Sequence, residues 1–322
     1  VSVGWGLLST ARINGALLGG IAEVPDAEVV AVASRSEERA RAYAREHGIP
    51  RAHGSYEALL ADPEVDAVYV SVPNSGHVPW AIRALEAGKH VLCEKPLTAR
   101  ADEAAAAFDA AERAGRHLSE AFMWRHLPHT DAVARLVRDG AVGEPRAARA
   151  VFSFALDRPD DPRWDLALGG GSIMDVGCYA VSALRLLCGE PERVSCETVM
   201  RGEVDARASA VLRFPGDVLG VAECGFDAAR EGIEVTGTAG RIVVETPWFS
   251  PRAELVRPDG TREPIEAARV NPYAAEVADL TRAIAGGGTP RLGREDALGQ
   301  ARTIEALYRS AAEGRPVAVG AA

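Results

Sequence analysis

Lysine is almost absent from this chain. Among its 322 residues Lys and Arg together number 36, and only Lys89 and Lys95 are lysine, which leaves 34 arginines. An ammonium accepts and releases protons in ways that a guanidinium does not, so a lysine kept against such a bias is a candidate for proton transfer. For Lys89 alone, chance is the simpler explanation. Positive charge is also in deficit: 46 acidic residues stand against 36 basic ones, for a net charge of -10. Such a surface repels phosphate backbones and anionic lipid, which argues against nucleic acid and membrane as partners.

Cysteine is scarce too. The five are Cys93, Cys178, Cys188, Cys196 and Cys224, an odd count with no C-x-x-C spacing, which excludes the usual zinc and dithiol motifs. Most sit in apolar stretches and read as small core residues of a reduced, cytoplasmic protein. No signal peptide is evident. Because the chain opens at Val1, an initiator Met or short leader is expected upstream. No apolar run is expected to approach the ~20 residues that span a bilayer. The histidines (His47, His53, His77, His90, His117, His126 and His129) show no ligand spacing with carboxylates or thiols, so no metal is implied. His77 and His90 read as satisfying local backbone or cofactor contacts.

What is present is 47% hydrophobic residues and 25% charged ones, enough for two ordinary cores. The first part alternates strands at 3–8, 28–33, 67–72, 90–93 and 117–121 with helices from about residue 12, at 36–47, at 74–87 and from 102 to near 115. This alternation implies α/β architecture with a doubly wound parallel sheet. After a helix at 129–139 the pattern changes to strands at 146–154, 192–200, 206–214, 218–226, 232–236 and 241–245. A helix at 172–187 interrupts them and helices at 273–285 and 294–313 close the chain. Consecutive strands joined by turns such as Pro215-Gly216-Asp217 imply a large, mostly antiparallel sheet in an α+β domain.

The turn after the first strand reads Gly6-Leu7-Leu8-Ser9-Thr10-Ala11-Arg12-Ile13-Asn14. Gly4-x-Gly6 imitates the start of G-x-G-x-x-G, but both glycines fall within the strand. The loop at the strand-to-helix switch is Ser9-Thr10-Ala11, followed by Arg12 and Ile13, where small residues let a pyrophosphate approach a helix N-terminus. Taken alone, this loop is equally well an ordinary βα turn. The end of the second strand adds Ala33-Ser34-Arg35-Ser36, with no carboxylate before Glu37. A carboxylate there selects NAD, whereas a hydroxyl and a guanidinium suit the 2′-phosphate of NADP. NADP is therefore expected over NAD.

A third segment runs Val72-Pro73-Asn74-Ser75-Gly76-His77, then Ala87-Gly88-Lys89-His90-Val91-Leu92-Cys93-Glu94-Lys95-Pro96. Glu94, Lys95 and Pro96 follow a buried strand and so lie at the carboxyl edge of the sheet, where ligands bind in such folds. The Lys95–Pro96 bond is open to the cis form, which turns the lysine into the crevice. Val72, Pro73, Asn74 and His77 are expected to line the cofactor site with them.

These motifs, at these spacings, resemble the Gfo/Idh/MocA oxidoreductases. Glu120-Ala121-Phe122-Met123-Trp124-Arg125 and Gly169-Gly170-Gly171-Ser172-Ile173-Met174-Asp175-Val176-Gly177-Cys178-Tyr179 are similar to the branch with D-xylose and dimeric dihydrodiol dehydrogenases. Asn271-Pro272-Tyr273 and Gly314-Arg315-Pro316-Val317 extend the likeness to the end of the chain. The resemblance implies that Lys95 orients the substrate oxygen and assists proton transfer, that Tyr179 is the general acid/base and that Asp175 anchors substrate or tunes the pair. Four residues apart, Asp175 and Tyr179 share one face of a helix. A nearby ammonium and a cationic nicotinamide favour phenolate over phenol. Trp124, Arg125, Arg163 and Trp164 are the substrate-lining candidates, with Trp164 alternatively filling a domain interface. Ala11, Asn14, Trp124 and Leu127-Pro128-His129 depart from the branch pattern.

The expectation is an NADP-binding Rossmann domain at 1–121 and a substrate-binding and oligomerisation domain at 122–322, the last helices free to pack back on the first. The implied activity is hydride transfer to or from a sugar or polyol, foremost C1 oxidation of an aldose such as D-xylose. Ketosugar reduction, dihydrodiol oxidation and a non-catalytic NADP sensor are the alternatives. A homodimer or homotetramer through the C-terminal sheet is expected from the resemblance.

Overall fold

The computed structural model describes residues 2–320. One compact unit runs from the N-terminus to Thr98 and adds Asp102–Met123 and Val270–Ala297. The other comprises Ala99–Ala101, Trp124–Arg269 and the segment from Leu298 onward.

In the first unit, strands β1 (Val3–Leu8), β2 (Ala27–Ala33), β3 (Arg51–His53), β4 (Ala67–Val70), β5 (His90–Glu94) and β6 (Leu118–Ala121) alternate with helices. These are α1 (Asn14–Ile21), α2 (Glu37–His47), α3 (Tyr56–Leu60), α4 (His77–Glu86) and α5 (Ala101–Ala114). All strand pairs are parallel, in the order β3-β2-β1-β4-β5-β6. The order reverses between β1 and β4, and a dinucleotide binds at such a switch point. Both central strands are buried along their whole length, as a sheet covered on two faces requires. The two early glycines belong to β1 for packing reasons. A Cβ on Gly4 would stand 2.2 Å from the Glu64 carbonyl, and one on Gly6 2.9 Å from Leu59 and Val65. Helix α2 is fixed by its ends. The Ser36 hydroxyl accepts from the Arg39 N–H, Glu37 and Glu38 open the first turn, and Gly48 closes the helix in the left-handed conformation.

The remaining elements are α6 (Pro128–Arg138), β7 (Pro145–Ser153), α7 (Cys178–Cys188), β8 (Arg193–Arg201), β9 (Val204–Phe214), β10 (Val218–Gly225), β11 (Arg230–Gly237), β12 (Gly240–Glu245), β13 (Arg252–Val256), β14 (Arg262–Pro264), α8 (Pro272–Ile284), α9 (Arg294–Glu313) and β15 (Val317–Ala318). In the second unit nine strands form one sheet, in the order β14-β13-β12-β11-β7-β10-β9-β8-β15. Among the described residues β7–β10 is its one parallel pair. Burial alternates along β9: Ala208, Ala210 and Leu212 face the core while Val211 is 47% exposed. Helix α7 packs on β7 and β10. In the first unit α8 crosses α1, and a Cβ on Gly20 would lie 2.7 Å from the backbone of Tyr273 and Ala274.

Three expectations are corrected. The first helix begins at Asn14, after a turn, not near residue 12. The segment 172–187 is not one plain helix: a π-helical turn, Ile173–Gly177, precedes α7. One stretch, Leu166–Cys188, is long and apolar enough to cross a membrane by composition. It is 83% buried within the protein, so its apolarity reflects a core helix covered on nearly all sides. Strands β3 and β14 were not legible because each has three residues and no apolar alternation.

Candidate active site

In the first unit the candidate residues gather at the carboxyl ends of β1, β2, β4 and β5. At the switch point the Ser9 hydroxyl meets the Ser71 hydroxyl at 2.8 Å and receives the Ala11 N–H at 3.1 Å. Asn14 closes the network: its amide donates to the Ser9 carbonyl (2.8 Å) and accepts from the Ser71 hydroxyl (2.7 Å). These side chains fix the Ser9-Thr10-Ala11 loop without the usual glycines, so the departure at Asn14 has a structural purpose. Helix α1 starts after Arg12 and Ile13 with no side-chain cap and no acidic residue in its first turn, which suits an anion there.

At the end of β2, Ser34 is buried and its hydroxyl receives the Ser36 N–H at 3.3 Å. Arg35 is exposed, and a second guanidinium joins it. Burial raises the pKa of Tyr56, and both Arg35 and Arg39 oppose that rise electrostatically, so both cations lie within electrostatic reach of this ring. Arg39 was missed in the sequence. Its signal is its place in the first turn of α2, at the residue whose N–H the Ser36 cap accepts.

The third segment is held by buried polar groups. His77 is 1% exposed, with Nδ1 2.8 Å from the Pro96 carbonyl and Nε2 2.9 Å from the Val72 carbonyl. Burial brings its pKa down to about 4, so the ring is neutral and donates to one carbonyl at a time. Its edges are spent on the backbone, and His77 shapes the Val72-Pro73-Asn74 and Glu94-Lys95-Pro96 turns rather than offering a contact to cofactor. The Leu97 N–H donates to the buried Glu120 at 2.8 Å. Glu94 accepts from the Tyr69 hydroxyl and from the Lys95 N–H (3.1 Å). The Lys95–Pro96 peptide is cis, and the Lys95 side chain is half-buried. Burial followed by the Glu94 charge raises Glu276 well above the carboxylate range. Lys89 is a structural residue: its ammonium donates to the Asp62 and Val65 carbonyls at 2.8 and 2.7 Å.

The second unit carries Asp175 and Tyr179 across the π-helical turn into α7. The Arg163 Nε donates to Asp175 at 2.6 Å, and its Nη1 reaches Asp161 at 3.2 Å. Tyr179 is 6% exposed, its ring edge-on to Phe152 (5.2 Å) and Trp248 (5.3 Å). Gly170 and Gly171 are required here. A Cβ on the first would stand 2.4 Å from the Arg163 carbonyl, and one on the second, at φ +114°, 2.3 Å from Asp205. The substrate-lining candidates divide. Trp124 is corrected to a core residue, fully buried and edge-on to Trp248 at 5.3 Å. Arg125 donates to the Ser182 hydroxyl at 3.1 Å. Trp164 is half-buried between Phe226 (5.2 Å) and the Arg201 guanidinium (4.1 Å). Chemically, the unit offers a phenol in an apolar surround and a carboxylate steadied by a guanidinium, a pairing suited to binding hydroxyl groups and passing a proton. Among the described residues no group of three or more His, Cys, Asp or Glu is placed to hold a metal.

Comparison with known proteins matches both halves of the chain. Residues 3–122 match the Gfo/Idh/MocA oxidoreductase family, NAD-binding Rossmann fold, and residues 130–243 match the GFO/IDH/MocA C-terminal domain. D-xylose 1-dehydrogenase (NADP(+)) 2 of Haloferax volcanii is 44% identical over 97% of this chain and 98% of its own. The crystal structure of an aldose-aldose oxidoreductase from Caulobacter crescentus, complexed with glycerol, superposes with a TM-score of 0.92 at 31% identity, covering 99% of this chain and 100% of that one. A 3-ketoreductase from Actinomadura kijaniata, in complex with NADP and TDP-benzene, gives 0.90 at 30% identity over 96% and 98%. The likeness runs over nearly the whole chain, and the chain belongs to the Gfo/Idh/MocA family of oxidoreductases.

Proposed function

We propose that the protein is an NADP-linked aldose 1-dehydrogenase acting on D-xylose or a similar sugar. The observation that carries the cofactor choice is the end of β2, with Ser34, Arg35 and Arg39 and no carboxylate before Glu37. The uncapped start of α1 at the switch point fits a pyrophosphate. The substrate class follows the 44% identical xylose dehydrogenase. NADP, when bound, accepts the hydride. The chain's residues do the rest. Lys95 orients the substrate oxygen, Tyr179 takes its proton and Asp175 anchors a neighbouring hydroxyl, held in place by Arg163. Thr10, Ala11, Arg12 and Ile13 would meet the pyrophosphate. Arg125 and Trp164 remain substrate-lining candidates.

A homodimer or homotetramer through the open face of the second sheet belongs to the same reading, supported by exposed Val199, Val211 and Leu219. So does a reduced, cytoplasmic setting, since no disulfide joins the five cysteines. Ketosugar reduction is the second reading, favoured by the similarity to the 3-ketoreductase. The test is titration with NADPH and NADH, then turnover of aldoses, polyols, dihydrodiols and nucleotide-linked ketosugars. Tight NADPH binding with aldose oxidation supports the proposal. Reaction only with ketosugars moves the second reading ahead, tighter NADH binding removes the Arg35 argument, and NADPH binding without any turnover favours a sensor.

A further inference from the structure

The turn that carries Asp175 and leads into Tyr179 is gripped at both ends by residues outside it. At its start stands Asp205, on β9 and 2% exposed. One Asp205 oxygen accepts from the Ile173 N–H at 2.6 Å and the Ser172 hydroxyl at 2.7 Å. The other accepts from the Tyr308 hydroxyl at 3.0 Å. That hydroxyl also lies against the Met174 N–H, and burial with the Asp205 charge keeps it a phenol. At the far end Gln300 donates to the Cys178 carbonyl at 2.7 Å and is itself fixed by Arg185 at 3.1 Å. Gln300 and Tyr308 are eight residues apart on α9, two turns along one face.

The turn needs such a grip. It holds one residue more than an α-helical turn, with the Cys178 N–H reaching back to the Ile173 carbonyl. A π-turn is rare and marginal compared with the α-helix it interrupts, and is found mostly at functional sites. Relaxation to α geometry would rotate Asp175 and its neighbours relative to Tyr179 by about a quarter turn per displaced residue. The first N–H groups of a helical segment lack intrahelical acceptors, and a buried carboxylate satisfies them while opposing such a slip.

We propose that Asp205, with Tyr308 and Gln300 on one face of α9, is a positioning residue that holds the π-helical turn in register and so sets Tyr179 against Asp175 for proton transfer. The inference rests on the reading of Tyr179 as the acid/base. It adds residues that touch neither substrate nor cofactor and act through the turn.

The experiment measures kcat, KM and NADPH affinity for Asp205→Asn, Tyr308→Phe and Gln300→Leu, each alone and combined with Tyr179→Phe, using folded protein quantified by its NADPH-binding sites. Asp205→Asn and Tyr308→Phe keep the side-chain outline, so they serve where Asp205→Ala fails to fold. Expected are kcat losses of about tenfold to a hundredfold with NADPH affinity kept, since a displacement near 1 Å costs on that order. In the Tyr179→Phe background the same changes should cost almost nothing further, because residues acting through one group are not additive. Equal losses in both backgrounds, or no loss in the wild-type background, would overturn the proposal. If Tyr179→Phe alone leaves kcat intact, the underlying reading of Tyr179 is what fails, and the proposal goes with it.

Discussion

The turn after β5 and the turn before α7 solve one problem in two ways. Each presents a side chain proposed to act on substrate beside the end of a regular element, and each fixes the backbone with buried polar groups from elsewhere in its own unit. Around Lys95 the main grip is a neutral ring: His77 spans the Val72 and Pro96 carbonyls. Around Tyr179 it is a carboxylate, Asp205, gathering Ser172, Ile173 and Tyr308. The choice follows what the backbone leaves unsatisfied. A turn leaving a strand here exposes carbonyls and needs a donor, whereas a segment entering a helix exposes N–H groups and needs an acceptor. The same difference gives the grips opposite responses to pH.

The largest effects should separate the reactive groups from their grips. Lys95→Ala and Tyr179→Phe should each lower kcat by about 10² to 10⁴, with NADPH affinity unchanged, as stopped-flow and fluorescence titration would report. A loss of affinity matching the loss of rate would instead make the residue a binding group. Next comes His77→Ala, which removes the donor shared by two buried carbonyls and opens a cavity. Urea unfolding should show a loss of roughly 2–4 kcal/mol.

The pH signs sharpen the contrast. Folded His77 has a pKa of about 4 against an ordinary 6.5. Between those values the unfolded chain binds a proton that the folded one refuses, so stability falls as pH drops from 6.5 to 4, by about 3 kcal/mol at most. His90, also at about 4 from burial, adds a share that survives in His77→Ala, so that variant should keep part of the acid slope. Burial raises Asp205 above its usual 3.8 despite three donors. Its contribution is present at low pH and is lost as pH rises from 3.8 through the folded value. Asp205→Asn should remove that fall, so its unfolding curves should lose the destabilisation that sets in above pH 3.8, while the acid loss carried by His77 and His90 remains.

How far the sequence reached follows the same lines. Strand β1 was legible because a wholly buried parallel strand writes an unbroken apolar run, and Lys95 because almost every other cation is arginine. The π-helical turn was not, since one inserted residue barely disturbs a helical period. Asp205 was not either: it stands just before the strand read at 206–214, and its partners lie 32 to 103 residues away. Asn14 looked like a departure from pattern because the network joining it to Ser9 and Ser71 forms only in the sheet. Trp124 was placed near substrate by its neighbours in sequence, whereas its ring turns into the core against Trp248.

Smaller effects probe the surfaces of the two units. Arg35→Ala and Arg39→Ala should each weaken NADPH binding about tenfold while sparing NADH, because each removes one charge-assisted contact to the 2′-phosphate. A parallel loss for both cofactors would place these residues elsewhere on the nucleotide.

The smallest expected change belongs to the open face of the second sheet. Arg207 and Asp227 pair there with side chains 54% and 48% exposed. In an isolated chain such a pair contributes well under about 1 kcal/mol, because solvent screens it and ordering two long side chains costs entropy. Arg207→Ala should therefore leave the melting temperature of a monomer almost untouched. If the face carrying Val211 and Leu219 is covered by a second copy, the same substitution loses a desolvated pair. It should then raise the dimer dissociation constant, as sedimentation velocity across a concentration series would read. A protein that sediments as a monomer with Arg207→Ala neutral would leave this sheet face facing water.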